Sequence, residues 1–272
     1  MLDLADPFDL PTRAARARDV LARLADPPTA AQPLHRHADG RILGRWYGLA
    51  LASAFQPIVD GHSGVPAGYE AFLRSASADE HALSPWPFFA SAADDSRLIA
   101  LDRLARSLHL LNALAADLRV PLFLNVHGRL LASVADDHGR AFRRVVDAVG
   151  GDPARIVIET PVEASDQPDL LAFVLRNYRH HGFQVAVNLA STEHWTRLAG
   201  NLWPQYLKIS ARALGEGDAA RAALGQLSAQ REDATLIVTR VDARPDFGPD
   251  LDDLLWQGCA FGAPRPLFPR HP

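Results

Sequence analysis

The sequence is nearly without cysteine and nearly without lysine. Cys259 is the only cysteine in 272 residues, which excludes an internal disulfide and suits a reducing compartment. No apolar run approaches the roughly 20 residues of a membrane-spanning helix, so no membrane partner is expected. The opening MLDLADPFDL lacks a basic stretch followed by an apolar core, so no secretion signal is expected and the cytoplasm is the expected location. A strong excess of either charge is missing too. The net charge of −4 and pI near 6.2 give no reason to expect a nucleic acid polymer as partner. Neither G-x-x-x-x-G-K-[ST] nor G-x-G-x-x-G occurs, nor does H-E-x-x-H, and Cys259 has no suitably spaced histidine to activate it. Lysine and arginine together number 28, yet Lys208 is the only lysine.

What is present is an ordinary globular balance, 48% hydrophobic and 22% charged. Residues 1–30 read as a helix that Pro11 and Thr12 start, with Ala15, Val20, Leu21 and Leu24 as an apolar stripe. The stretch DPPTAAQPLHRHADG (26–40) reads as a linker, so 1–48 is expected to be a helical appendage and 49–272 a single domain. From residue 50 onward, β-like runs alternate with amphipathic stretches. The β-like runs lie at 54–60, 68–74, 120–126, 155–160, 183–188, 206–209 and 235–242. The amphipathic stretches lie at 95–118, 139–150, 168–182 and 249–258. Continuous apolar strands between helices indicate a buried, largely parallel sheet. With room for an eighth strand in RILGRWYGLAL (41–51), a β/α barrel is expected, and an open doubly wound sheet is the alternative.

Most of these runs end on a polar residue: Asn125, Glu159, Asn188, Lys208 and Asp242, with Glu70 inside its own run. Any one of them could merely end its strand. In succession they point to one rim of a parallel barrel, where side chains from distant segments converge. His127, two residues beyond Asn125, could reach the same rim. His35 and His37 fall in the linker, and His180 and His181 near a helix end, where positive charge compensates the helix dipole.

FQPIVD (55–60) and GYEAFLR (68–74) resemble the opening of the EAL family, near Y-Q-P-I-V-D…G-Y-E-A-L-L-R. The likeness continues in order through SPWPFFASAADDSRLIALDRL (84–104), LFLNV (122–126), RIVIET (155–160), YLKI (206–209) and, loosely, GCAFGAPRPL (258–267). The resemblance implies a modified β/α barrel with one antiparallel strand and a cyclic di-GMP pocket at its C-terminal rim. It implies ligand contacts at Gln56, Glu70, Leu73, Arg74, Asn125 and Asp242, and metal ligands at Glu70, Asn125 and Glu159. Lys208 falls on the lysine that positions the attacking water, so the single lysine matches the single family lysine.

Departures from the family pattern are concentrated at the metal site. Asn188 and Leu189 stand where the family carries two aspartates, and Val162 stands at a glutamate that steadies the next loop. Thr239 and Asp242 take the two glutamate positions of the E-G-V-E segment, with Arg240 at its glycine; Phe261 stands near a late glutamine. Two divalent ions about 4 Å apart repel by roughly 4 kcal/mol even in bulk water, so a two-metal phosphodiesterase needs anionic oxygens to hold them. Glu70, Glu159 and Asp242 are the carboxylates left. No cofactor is therefore expected beyond a weakly held Mg²⁺ or Mn²⁺. The expected function is a catalytically inactive EAL-like domain acting in bacterial signalling through a protein partner. The alternatives are a non-hydrolysing cyclic di-GMP receptor and a slow phosphodiesterase giving pGpG. Whether the chain forms a homodimer stays open.

Overall fold

Period-two alternation in short apolar runs decides the architecture. A computed structural model of the chain describes residues 9–23, 33–75, 94–132, 138–198, 203–231, 233–243 and 254–267. Helix α1 (Asp9–Arg23) comes first, then strands β1 (Leu34–Arg36), β2 (Ile42–Trp46), β3 (Leu49–Asp60) and β4 (Pro66–Ser75). Helix α2 (Asp95–Ala115), strand β5 (Leu122–Asn125), helix α3 (His138–Ala148), strand β6 (Ile156–Thr160) and helix α4 (Pro168–His180) follow. The remaining strands are β7 (Gln184–Leu189), β8 (Tyr206–Ser210), β9 (Thr235–Thr239) and β10 (Leu255–Trp256).

Strands β4 to β10 pair in sequence, all parallel, and β3 closes the ring antiparallel to both β4 and β10. The result is an eight-stranded barrel with one antiparallel strand, and the open-sheet alternative is excluded by the closure. Leu122, Leu124, Ile156, Ile158, Val185, Val187, Leu207, Ile209, Leu236 and Val238 face outward and are buried in the main apolar cluster. Their neighbours Phe123, Val157, Ala186 and Ile237, with Ile58 and Leu255, fill the barrel interior as a separate apolar layer. One step further along the strands, the inward positions become polar. The alternation that builds the core therefore also delivers the site.

Two expectations from the sequence are corrected. The eighth barrel strand is not in 41–51 but at Leu255–Trp256, inside a stretch read as helix, half of which lies outside the described residues. Two residues suffice because Leu255 pairs with both Ile237 and Asp60, and Trp256 with both Val238 and Val59. Residues 34–36, read as linker, form β1; it pairs with β2, which pairs in turn with the start of β3. Ile42 is fully buried with Leu51 and Leu73 under α2, which gives this Pro-flanked segment an apolar anchor.

Helix α1 meets the barrel at the end of α3. Arg16 Nη1 donates to the Asp147 carbonyl at 2.8 Å, placing a cation at a helix C-terminus, and Arg13 pairs with Asp152 at 3.2 Å. Gly150 makes the approach feasible. Its φ is 73°, and a β-carbon there would stand 2.2 Å from the Arg13 carbonyl oxygen. Gly150→Ala is expected to cost at least about 1 kcal/mol through φ alone and to displace α1. Limited trypsin digestion checks this: α1 should be cut faster while the barrel stays resistant, and an unchanged digestion pattern would count against the contact.

Candidate functional site

The polar layer is built around Lys208. Its side chain is 1% exposed, and Nζ donates to Glu70 Oε2 at 2.7 Å and to Glu159 Oε2 at 2.6 Å. The two carboxylates come from β4 and β6 and the ammonium from β8, so strands distant in sequence close one charged cluster. Phe123 lies beneath it, with Nζ 5.5 Å from the ring centroid. The other carboxylate oxygens are also occupied. Asn125 Nδ2 donates to Glu70 Oε1 at 2.7 Å, and Asn188 Nδ2 to Glu159 Oε1 at 2.8 Å. Asn188 Nδ2 also reaches the Thr160 carbonyl at 2.8 Å.

Gln257 is the member that sequence reasoning missed. Nε2 donates to Glu70 Oε2 at 2.8 Å and lies 3.3 Å from Gln56 Oε1, while Gln56 Nε2 donates to the Gly262 carbonyl at 3.0 Å. The signal was the same one that marks Lys208, a polar residue ending an apolar strand. Reading 249–258 as a helix hid it. Gly258 is needed beside it, because a β-carbon there would lie 2.1 Å from the Val241 carbonyl oxygen.

The charge balance follows from these contacts. Burial raises the Glu70 carboxyl, but the Lys208 charge and the hydrogen bonds from Lys208, Asn125 and Gln257 outweigh it and hold Glu70 below its usual value. Burial and the adjacent negative charge of Glu70 push Glu159 up to about 7 against the opposing pull of Lys208. Burial lowers Lys208, but Glu159 and Glu70 reverse this and raise it. The cluster thus keeps a firmly charged Lys208–Glu70 pair beside a carboxyl that titrates near neutrality.

Above the cluster opens a cavity of about 520 Å³, whose walls include Gln56, Arg74, Asn188, Arg212, Arg240 and Asp242. Arg74 Nη1 donates to the Leu73 carbonyl at 2.9 Å, and its guanidinium lies 5.2 Å from the Phe72 centroid. Asp242 is exposed and pairs with Arg212 at 3.3 Å rather than with Arg240. Arg212, from the short helix Ala211–Leu214 that follows β8, carried no mark in the sequence. Thr239 Oγ1 lies 3.4 Å from the Ile209 carbonyl.

Two of the expected positions face away. Leu73 is 1% exposed and packs with Ile42, Leu51, Leu101 and Leu108 under α2, bordering a neighbouring cavity rather than the one over Lys208. Leu189 is likewise buried in the outer apolar cluster. Alternation explains both, since Glu70 and Asn188 point inward and residues at odd offsets from them point out. His127 is half-buried in the neighbouring cavity, with Arg74 and His109, where burial lowers its basicity. Among the described residues, no three His, Cys, Asp or Glu side chains group to hold a metal ion, and no helix is long and apolar enough to cross a membrane.

Similar barrels occur among solved structures. The Xanthomonas citri FimX EAL domain in complex with c-diGMP superimposes with a TM-score of 0.66 at 16% identity, covering 96% of this chain and 96% of that one. The FimX EAL domain from Pseudomonas aeruginosa bound to c-di-GMP gives 0.66 at 17% identity, covering 81% and 93%. Klebsiella pneumoniae BlrP1, in a manganese/cy-diGMP complex, gives 0.64 at 19% identity over 89% of this chain, which spans 58% of BlrP1. No curated protein matches the chain. At these identities the structures speak for the fold. The sequence itself matches the family model described as the EAL domain over residues 49–247. The chain therefore belongs to the EAL domain family.

Proposed function

We propose that this chain is a non-hydrolysing EAL domain that acts in signalling by binding cyclic di-GMP. One observation supports this most: all four oxygens of Glu70 and Glu159 are held by donors of the chain itself, beneath an arginine-lined cavity. The residues present do not fit a pair of divalent ions. Lys208 already supplies the cation between the two carboxylates, Asn188 turns its NH₂ toward Glu159, and Leu189 faces the outer core. Moving a metal in would require displacing a buried ammonium, with a desolvation cost of several kcal/mol per ion. The cavity walls, in contrast, suit an anion. Arg74, Arg212 and Arg240 offer guanidinium groups for phosphate, and about 520 Å³ accommodates much of a dinucleotide.

Calorimetry with cyclic di-GMP in EDTA tests this reading. Binding is expected without divalent metal, and Arg74→Ala is expected to weaken it by about 30-fold or more, the effect of removing one charged partner from a buried contact. No heat at high micromolar ligand would sink the receptor reading. A protein partner is the second reading, favoured by an exposed tyrosine at the β2–β3 turn, beside the partly buried Trp46. Tyr47 is 76% exposed and stands edge-on to Trp46 with centroids 5.2 Å apart.

A further inference from the structure

Arg240 stands just beyond β9 with φ at 56°, in the left-handed region that glycine alone occupies without steric cost. The resemblance places a family glycine at this position. The backbone thus retains a glycine's conformation under an arginine side chain. Strain of this kind persists where something compensates it. The fold offers no compensation: among the described residues no hydrogen bond or ion pair involves Arg240, and Asp242, two residues on, is taken by Arg212 at 3.3 Å. Arg240 does wall the cavity over Lys208, together with Arg74 and Arg212.

The neighbouring departures point the same way. At Asn188 and Thr239 the chain has neutral residues where the resemblance places carboxylates, and at Arg240 it has a cation where the resemblance places a neutral glycine. Each exchange moves the cavity away from attracting cations and toward attracting anions. A guanidinium presents a planar fork of donors that matches two phosphate oxygens.

We infer that Arg240 is an anion-binding residue particular to this chain, contacting a phosphate of the bound cyclic dinucleotide directly and without a bridging metal. This rests on the receptor reading and assigns it a ligand contact. In the free protein the side chain waits in solvent, and the stability lost to its backbone conformation is recovered when ligand binds.

The test is calorimetry with cyclic di-GMP in EDTA on the wild type, Arg240→Gly and Arg240→Lys, beside thermal melts of each without ligand. Arg240→Gly is expected to bind roughly tenfold more weakly or worse. Its melting temperature should stay level or rise by about 2 °C, because the strain is relieved. Arg240→Lys, which keeps the charge but loses the fork, should fall between the two. Equal affinity of wild type and Arg240→Gly overturns the inference and leaves the receptor reading intact. Weaker binding accompanied by a melting temperature lower by more than about 4 °C marks Arg240 as a structural residue and also overturns it. Absence of binding by all three overturns the receptor reading and this inference together, a pattern distinct from equal affinity.

Discussion

Lys208→Met is expected to lower stability by about 3–5 kcal/mol at pH 8. The substitution keeps the length and apolar stem of the side chain, so little packing is lost. What it removes is, among the described residues, the one cation ion-paired with two carboxylates that are 5% and 4% exposed. Asn125, Asn188 and Gln257 still donate to those carboxylates, but amides cannot offset their charge. The protein can escape part of the cost by protonating Glu70 or Glu159, so the deficit should shrink at pH 5. Combining Lys208→Met with Glu159→Gln should recover part of the loss, because one buried charge is then removed. Denaturant midpoints at the two pH values check this. A deficit that is the same at both, and unaffected by Glu159→Gln, would mean that packing rather than charge sets the role of Lys208.

The second large effect is the pH dependence that Glu159 imposes on stability. Glu159 is pushed from the usual 4.5 up to about 7 in the folded state. Between these values the native protein binds more protons at Glu159 than the unfolded chain does, so this contribution to stability falls with rising pH across that window. A shift of this size corresponds to roughly 3 kcal/mol between pH 4.5 and 7. Glu70 acts in the opposite sense. Its lowered value contributes stability above the ordinary carboxylate range that is lost as pH falls further. The raised Lys208 contributes at any pH below its ordinary value and changes nothing in this window. Buried His109, lowered to about 3 by its burial, acts against Glu159 below about pH 6.5, because there the native protein binds fewer protons at that ring than the unfolded chain does. The Glu159 contribution is therefore read as a difference: Glu159→Gln should gain stability relative to the wild type as pH rises from 5 to 7. Urea unfolding at half-unit pH steps measures the profile. A difference between the two proteins that stays constant from pH 5 to 7 would contradict the charge balance drawn for the cluster.

Much of this arrangement was legible in the sequence because one periodicity serves both core and site. The polar ends of 120–126, 155–160, 183–188 and 206–209 mark inward positions one step beyond the apolar layer, and Asn125, Glu159, Asn188 and Lys208 stand there. The same rule, applied to Leu73 and Leu189, turns both outward, although family position alone assigns one to the ligand and the other to a lost metal ligand. Strand β10 escaped because Leu255–Trp256 is too short to show alternation, and its apolar spacing also suits a helix; Gln257 escaped with it. Strand β1 escaped because it is three residues long and directly follows the proline-rich stretch that ends at Pro33. The Arg240 backbone conformation has no signature in single-chain composition. It emerges only when the glycine of the resembling segment is set beside the observed φ.

The occupied oxygens of Glu70 and Glu159 also explain why the family motif identifies the fold more firmly than the activity. GYEAFLR places Glu70 in the barrel, but its partners are Lys208, Asn125 and Gln257. The most direct test is to incubate the full chain, at stoichiometric concentration, with cyclic di-GMP and excess Mn²⁺ and to separate the nucleotides by chromatography. The account predicts that cyclic di-GMP is recovered intact. Formation of pGpG that disappears in Glu70→Ala would contradict it.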